Sequence, residues 1–176
     1  MITITESNMV FGPFWESQVY QIEQSRLYRS AGSRVRSVEF LKRNQRGDLW
    51  FVEAKSSSAC AGGEAPEKFD TFIRKVAEKF LHGLNLYFSA VTGRREGSSD
   101  LPASFQLETY DGIGITFCLV IQGHQEEWLP PIRGALEREL APFLRIWKCN
   151  VIVLNDALAR KKGLVSQVLT QEQSHT

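Results

Sequence analysis

The chain has 176 residues, 43% of them hydrophobic and eleven of them phenylalanine, so it can bury a core and is too apolar for a disordered adaptor. It reads as a single domain over residues 1–170 with a frayed tail at 171–176. Net charge is +1, and neither the three cysteines nor the three histidines have metal-ligand spacing, which argues against a disulfide framework and a zinc cluster. With no apolar run of membrane-span length and no signal-peptide pattern, the expectation is a cytoplasmic protein with no membrane partner.

Residues 2–5 alternate as a short strand, and Phe11-Gly12-Pro13-Phe14 marks a turn. Trp15, Val19, Ile22 and Arg26 stand at helical spacing and predict a helix over 15–28, ending before Ser30-Ala31-Gly32-Ser33. Two short apolar runs follow, around Val38-Glu39-Phe40 and from Leu49 to Lys55. The polar turn Asn44-Gln45-Arg46-Gly47 between them predicts a hairpin.

Side chains alternate along a strand, so Glu53 and Lys55 share one face, and Glu39 shares its face with Ser37 and Leu41. A turn centred near Arg46 puts Glu39 opposite Glu53 and Ser37 opposite Lys55. Like charges opposed across a sheet are unfavourable. A divalent cation reverses that sign, and carboxylate oxygens suit magnesium. A lysine beside such a site can hold a phosphate oxygen or the attacking water. The bland alternative is an exposed cross-strand ion pair at a sheet edge, worth little. Asp48 reads as a turn residue, because it shares a face with Trp50 and not with Glu53. Between Arg26 and Arg46 seven basic residues stand against one acid, Glu39, a local field suited to a phosphate backbone.

A loop rich in Ser, Ala and Gly runs over 56–64. The clearest helix opens at Pro66, with Phe69, Phe72, Ile73, Val76, Ala77, Phe80, Leu81 and Leu84 in a core-facing stripe. Lys75 and Lys79 read equally well as phosphate contacts or as a solvated helix face. Residues 86–91 suggest a strand, 92–102 a mobile polar loop, and 113–121 a buried strand. A second amphipathic helix starts at Glu126, has Pro130-Pro131 in its first turn and is kinked or restarted at Pro142. Residues 151–154 predict a last buried strand, and 160–169 a short terminal helix. Trp15, Trp50, Trp128 and Trp147 are expected in the core. No Gly-x-Ser-x-Gly elbow is present, and no histidine has a spacing that would make a serine nucleophile. The fold class is therefore α/β, a mixed central sheet flanked by helices.

Glu39, with Glu53 and Lys55 as a Glu-x-Lys motif, a hairpin carrying both and a long helix afterwards, resembles the PD-(D/E)xK nuclease superfamily. The likeness covers residues 15–121. It implies a restriction-endonuclease-like core of helix, three-strand meander, helix and strand, with the last helix and strand as additions. It further implies magnesium, or manganese in its place, held by Glu39 and Glu53, with Lys55 steadying the transition state. Several members carry one more acid on the first helix, which would be Glu23 here, nearer the meander than Glu16. Val38-Glu39 departs from the usual Pro-Asp. The implied activity is phosphodiester hydrolysis in a nucleic acid, DNA before RNA, in a defence or mobile-element setting, with a protein partner or a homo-oligomer. A catalytically inactive interaction subunit of a larger complex is the alternative, and a small-molecule enzyme with a deep apolar pocket elsewhere is a third reading.

Overall fold

In the computed structural model, which describes residues 1–59, 66–95, 100–106 and 109–169, the chain opens with a hairpin, β1 (Ile2–Glu6) and β2 (Met9–Phe14). Its turn is Ser7-Asn8, both left-handed at φ of 50° and 59°, which matches the twist of a two-residue hairpin. Phe11-Gly12-Pro13-Phe14 is thus not the turn but part of β2. Phe11 and Phe14 lie buried, and their rings pack against Phe40.

The helix predicted over 15–28 does not form. Two single helical turns, Glu16–Gln18 and Ile22–Gln24, flank a two-residue strand, β3 (Val19–Tyr20), and only α1 (Arg26–Ser30) is α-helical. The Ser25 hydroxyl accepts from the Tyr28 amide, which starts α1 at residue 26. The β-branched and aromatic pair Val19-Tyr20 ladders with Lys42 and Leu41 instead. Trp15, the first residue of the apparent stripe, is 61% exposed.

The predicted hairpin is present as β4 (Phe40–Arg43) and β5 (Leu49–Lys55). The Asn44 side chain accepts from the Arg46 and Asp48 amides, and Gly47 takes the left-handed φ of 89° that the turn requires. The helix α2 (Pro66–Val91) continues through the predicted strand at 86–91, because Leu86, Tyr87 and Ala90 carry on its buried stripe. β6 (Ile115–Ile121) is buried along its whole length. A helical turn at Glu126–Trp128 leads into α3 (Leu129–Glu139), and Pro142 sits in the first turn of a separate α4 (Ala141–Trp147). After β7 (Asn150–Asn155), the predicted terminal helix resolves into α5 (Asp156–Lys161) and a strand, β8 (Val165–Val168). β8 pairs antiparallel with β2, a partner that local periodicity cannot reveal. The tail at 171–176, most of the loop at 56–64 and part of that at 92–102 lie outside the described residues.

Five strands form one sheet in the order β3-β4-β5-β6-β7, and β1, β2 and β8 form a second. In the larger sheet β4 is antiparallel to β3 and to β5, whereas β5, β6 and β7 are mutually parallel. The α/β class with a mixed sheet flanked by helices is what the structure has. One face of this sheet packs Leu49, Phe51, Phe117 and Val151 against Val76 and Phe80 of α2 and Ile132 and Leu136 of α3. The other packs Phe40, Val52, Cys118 and Val120 against Met9, Phe11 and Val165 of the small sheet and Ala159 of α5. Burial on both faces explains why β5 and β6 are nearly continuous apolar runs. Trp128 and Trp147, expected in the core, are 44% and 40% exposed, and Trp147 stacks on Phe88 with ring centroids 4.8 Å apart. No helix among the described residues is long and apolar enough to cross a membrane.

Candidate functional site

The β4–β5 ladder pairs Phe40 with Val52 and Arg43 with Leu49, a register that, carried one residue further, sets Glu39 opposite Glu53. Glu53 is fully buried, near the carboxyl end of the sheet's middle strand, beside Leu119 of β6. A surface ion pair at a sheet edge is therefore not its environment. The Lys55 ammonium binds Glu53 Oε1 from the same face of β5.

Three further groups come to this point from separate elements. Glu23 is set beside Ile22, whose side chain is fully buried and anchors that helical turn. Glu39 follows fully buried Val38 and precedes fully buried Phe40. Lys79 comes from α2, where Val76 and Phe80 face the core on either side of it. Its Nζ lies 3.3 Å from Glu23 Oε1 and 3.2 Å from Glu39 Oε1, and 3.0 and 3.1 Å from the two oxygens of Glu53. One turn on, Gly83 lets α2 come close to the sheet, since a Cβ there would stand 3.2 Å from Val38 and 3.3 Å from the Ser37 hydroxyl. The absent side chain is what allows a lysine stem to span from helix to strand.

The electrostatics follow from burial and crowding. Desolvation raises the pKa of Glu53 above the ordinary carboxylate range, against the pull of Lys55 and Lys79. Desolvation, then a hydrogen bond to Glu39, pushes Glu23 up to about 7. Burial works against the Lys79 charge, but Glu53, Glu39 and Glu23 outweigh it and hold the ammonium above the usual lysine range. Glu6, at the end of β1, is also raised, by burial and by Glu39, which brings a fourth acid to the rim of the cluster.

The structure thus brings together Glu23, Glu39, Glu53 and Lys55 of the residues singled out from sequence. Glu16, the other candidate, is exposed and makes no ion pair with them. The sequence offers Lys79 only as a phosphate contact or a solvated helix residue, not as a partner of these acids, and does not single out Glu6. The signal for Lys79 was present but ambiguous, a charged residue on the flank of an apolar stripe. Asp48 is the turn residue expected, with its carboxylate accepting from the Gly114 amide at 3.0 Å and the Asn44 amide side chain at 2.9 Å. Beyond the carboxyl ends of β5 and β6, Ser58 Oγ and His124 Nε2 lie 3.3 Å apart, a pairing that residue spacing did not suggest. No carboxylate orients that ring among the described residues, and burial lowers its pKa.

Carboxylates that converge on one cation are a donor set of the hard-oxygen kind that magnesium takes. At present the cation is an ammonium. Among the described residues no three acidic, histidine or cysteine side chains close on one point as a metal shell, and Lys79 stands where Glu23, Glu39 and Glu53 meet. A groove of about 640 Å³ on the other face mixes basic side chains, Lys42, Arg46 and Lys162, with Asp48, Trp50 and Leu164, and is not a deep apolar substrate pocket. Comparison of the chain with protein-family models, with curated proteins and with solved structures finds no match.

Proposed function

We propose that this chain is a metal-dependent nuclease of the PD-(D/E)xK kind that hydrolyses phosphodiester bonds, with DNA as the first substrate to test. The observation that carries the reading is the convergence of Glu23, Glu39 and Glu53 on one cation, with Lys55 bound to Glu53 beside it. The order of strands also supports it. Antiparallel β3, β4 and β5 followed by a long helix and a parallel strand match the later part of such a core, although no α-helix precedes β3 and α1 falls between β3 and β4.

In this reading Glu39 and Glu53 hold Mg2+ or Mn2+, with Glu23 auxiliary. The metal ion, when bound, would polarise the phosphoryl group and lower the pKa of a water nucleophile. Lys55 orients that water or offsets charge on the phosphoryl oxygens. Arg26, Arg29, Arg34 and Arg36 are exposed and supply attraction for a phosphate backbone. A defence or mobile-element role is by analogy alone.

Cleavage of supercoiled plasmid, single-stranded DNA and RNA with Mg2+ or Mn2+ tests the proposal. EDTA and Lys55→Ala should each abolish it. One observation favours a second reading, a catalytically inactive interaction subunit. The carboxylates already have ammonium partners in Lys55 and Lys79, as an eroded, self-neutralised site would. Folded protein that cleaves no substrate and whose melting temperature ignores both metals would favour this second reading.

A further inference from the structure

The cluster holds more cationic charge than the nuclease reading uses. Glu-x-Lys supplies one lysine, Lys55, and it is already bound to Glu53. Lys79 is a second, from a different element, and it does not stand beside the carboxylates but between them, within 3.3 Å of Glu23, Glu39 and Glu53 at once. Its side chain is only 17% exposed, and Glu53 is wholly buried. A divalent ion placed between these acids would stand where the Lys79 ammonium now meets both oxygens of Glu53 and one each of Glu39 and Glu23.

Charge gives the same answer. With Lys55 and Lys79 both in place, a divalent ion would bring four positive charges to a site of three acidic side chains, and withdrawal of the Lys79 ammonium removes one of them. Uncompensated charge is costly at such depth, so the ion and the ammonium exclude each other.

We propose that Lys79 is an internal counter-ion that occupies the carboxylate centre while no divalent ion is bound, and that metal binding requires its ammonium to leave. The inference rests on the metal site of the proposed nuclease and adds a competitor to it. Lys79 keeps three carboxylates from repelling one another in the free chain, and in doing so it weakens metal binding by the fraction of molecules in which it is withdrawn. Its flexible stem allows the withdrawal without movement of α2. An ammonium released at the site's mouth is then available to a phosphate oxygen of the substrate.

The test is Mn2+ titration of the metal-stripped full chain, followed by electron paramagnetic resonance and by thermal unfolding. Lys79→Met should lower the melting temperature in EDTA, because the acids lose their counter-ion. It should also bind Mn2+ at least about tenfold tighter than wild type, with Mn2+ restoring the lost stability. Glu53→Gln should abolish that binding in both backgrounds. Mn2+ bound equally well, or more weakly, by Lys79→Met would overturn the counter-ion role while leaving the metal site standing. Mn2+ bound by neither protein would overturn both. A second readout needs no variant to fold: the Lys79 ε-methylene and ζ-ammonium resonances of wild type should shift on Mg2+ addition. An ammonium unmoved by saturating Mg2+ would also refute the proposal.

Discussion

The two ends of β5 each bring a carboxylate into a crowded place and satisfy it in different ways. Asp48, just before the strand, is held by neutral donors, the Gly114 backbone amide and the Asn44 side chain, both placed by the chain's own turns. Glu53, near the other end, is held by ammonium groups at the tips of Lys55 and Lys79. A backbone amide cannot leave without unfolding its loop, whereas a lysine tip can rotate away with the backbone in place, at the cost of the charge it leaves uncompensated. The first arrangement suits a permanent joint. The second suits a site whose partner is meant to be exchanged. Between them lie four residues of one strand, and the two acids differ both in depth, Glu53 fully and Asp48 partly buried, and in the chemistry of the donors that hold them.

The sharpest way to break this comparison is to substitute the two acids separately. Glu53→Gln should cost about a hundred- to a thousandfold in Mg2+-dependent cleavage, read from plasmid nicking rates. Equal cleavage by Glu53→Gln and wild type would place the chemistry elsewhere. Asp48→Ala should keep cleavage and lose about 1–3 kcal/mol of stability, the cost of leaving the Gly114 amide without its acceptor, measured by urea denaturation. If cleavage followed Asp48 instead, the two ends would have been assigned the wrong way round.

A subtler contrast lies in pH. Glu23, pushed up to about 7, holds its proton in the folded chain over a range where the unfolded chain has already released it, near the ordinary carboxylate value of 4.5. The folded state therefore binds more protons between those values, and this group's contribution to stability falls as pH rises through the window. Lys79 acts at the other extreme. Raised above its ordinary value of 10.5, it stabilises the fold throughout neutral pH and loses that effect only in strong alkali. In EDTA the melting temperature should thus fall from about pH 5 to about pH 7 with a slope that Glu23→Gln reduces. An identical slope in both proteins would mean that Glu23 is not raised.

The smallest effect is expected at Arg133 and Glu137, an ion pair four residues apart on α3 with side chains 57% and 41% exposed. Arg133→Ala should change stability by at most about 0.5 kcal/mol. That value is the baseline against which ammonium–carboxylate contacts at the buried cluster are to be judged.

How far the sequence revealed this arrangement depended on the distance over which each feature is encoded. The β4–β5 register was legible because Asn44 and Gly47 write the turn locally, and that register carried Glu39 to Glu53. Helix α2 was legible from its stripe, although its last two turns were mistaken for a strand where Leu86, Tyr87 and Phe88 crowd together. The stretch 15–28 misled because Trp15, Val19, Ile22 and Arg26 match helical spacing by coincidence, while Ser25 and the pairing of Val19-Tyr20 with β4 decide the structure. Lys79 was hidden for a different reason. Its partners lie on three other elements, and nothing within its own helix distinguishes it from Lys75, which is exposed. The close approach of α2 to the sheet beside Gly83 accompanies the inward turn of Lys79, whereas Lys75 stays exposed.

The pairing of β2 with β8 gives the molecule a timetable. Ser166 and Val10 hydrogen-bond across 156 residues of chain, so the small sheet cannot be completed until β8 has left the ribosome. Contacts this distant in sequence are slow to form. The hairpin that waits for β8 also carries Glu6 to the rim of the acid cluster, and Asn8 to Gln122 just past β6. The larger sheet can be whole while the small sheet that carries Glu6 to the rim of the acid cluster is still without β8. The small sheet is therefore finished only when nearly all of the described chain has been made.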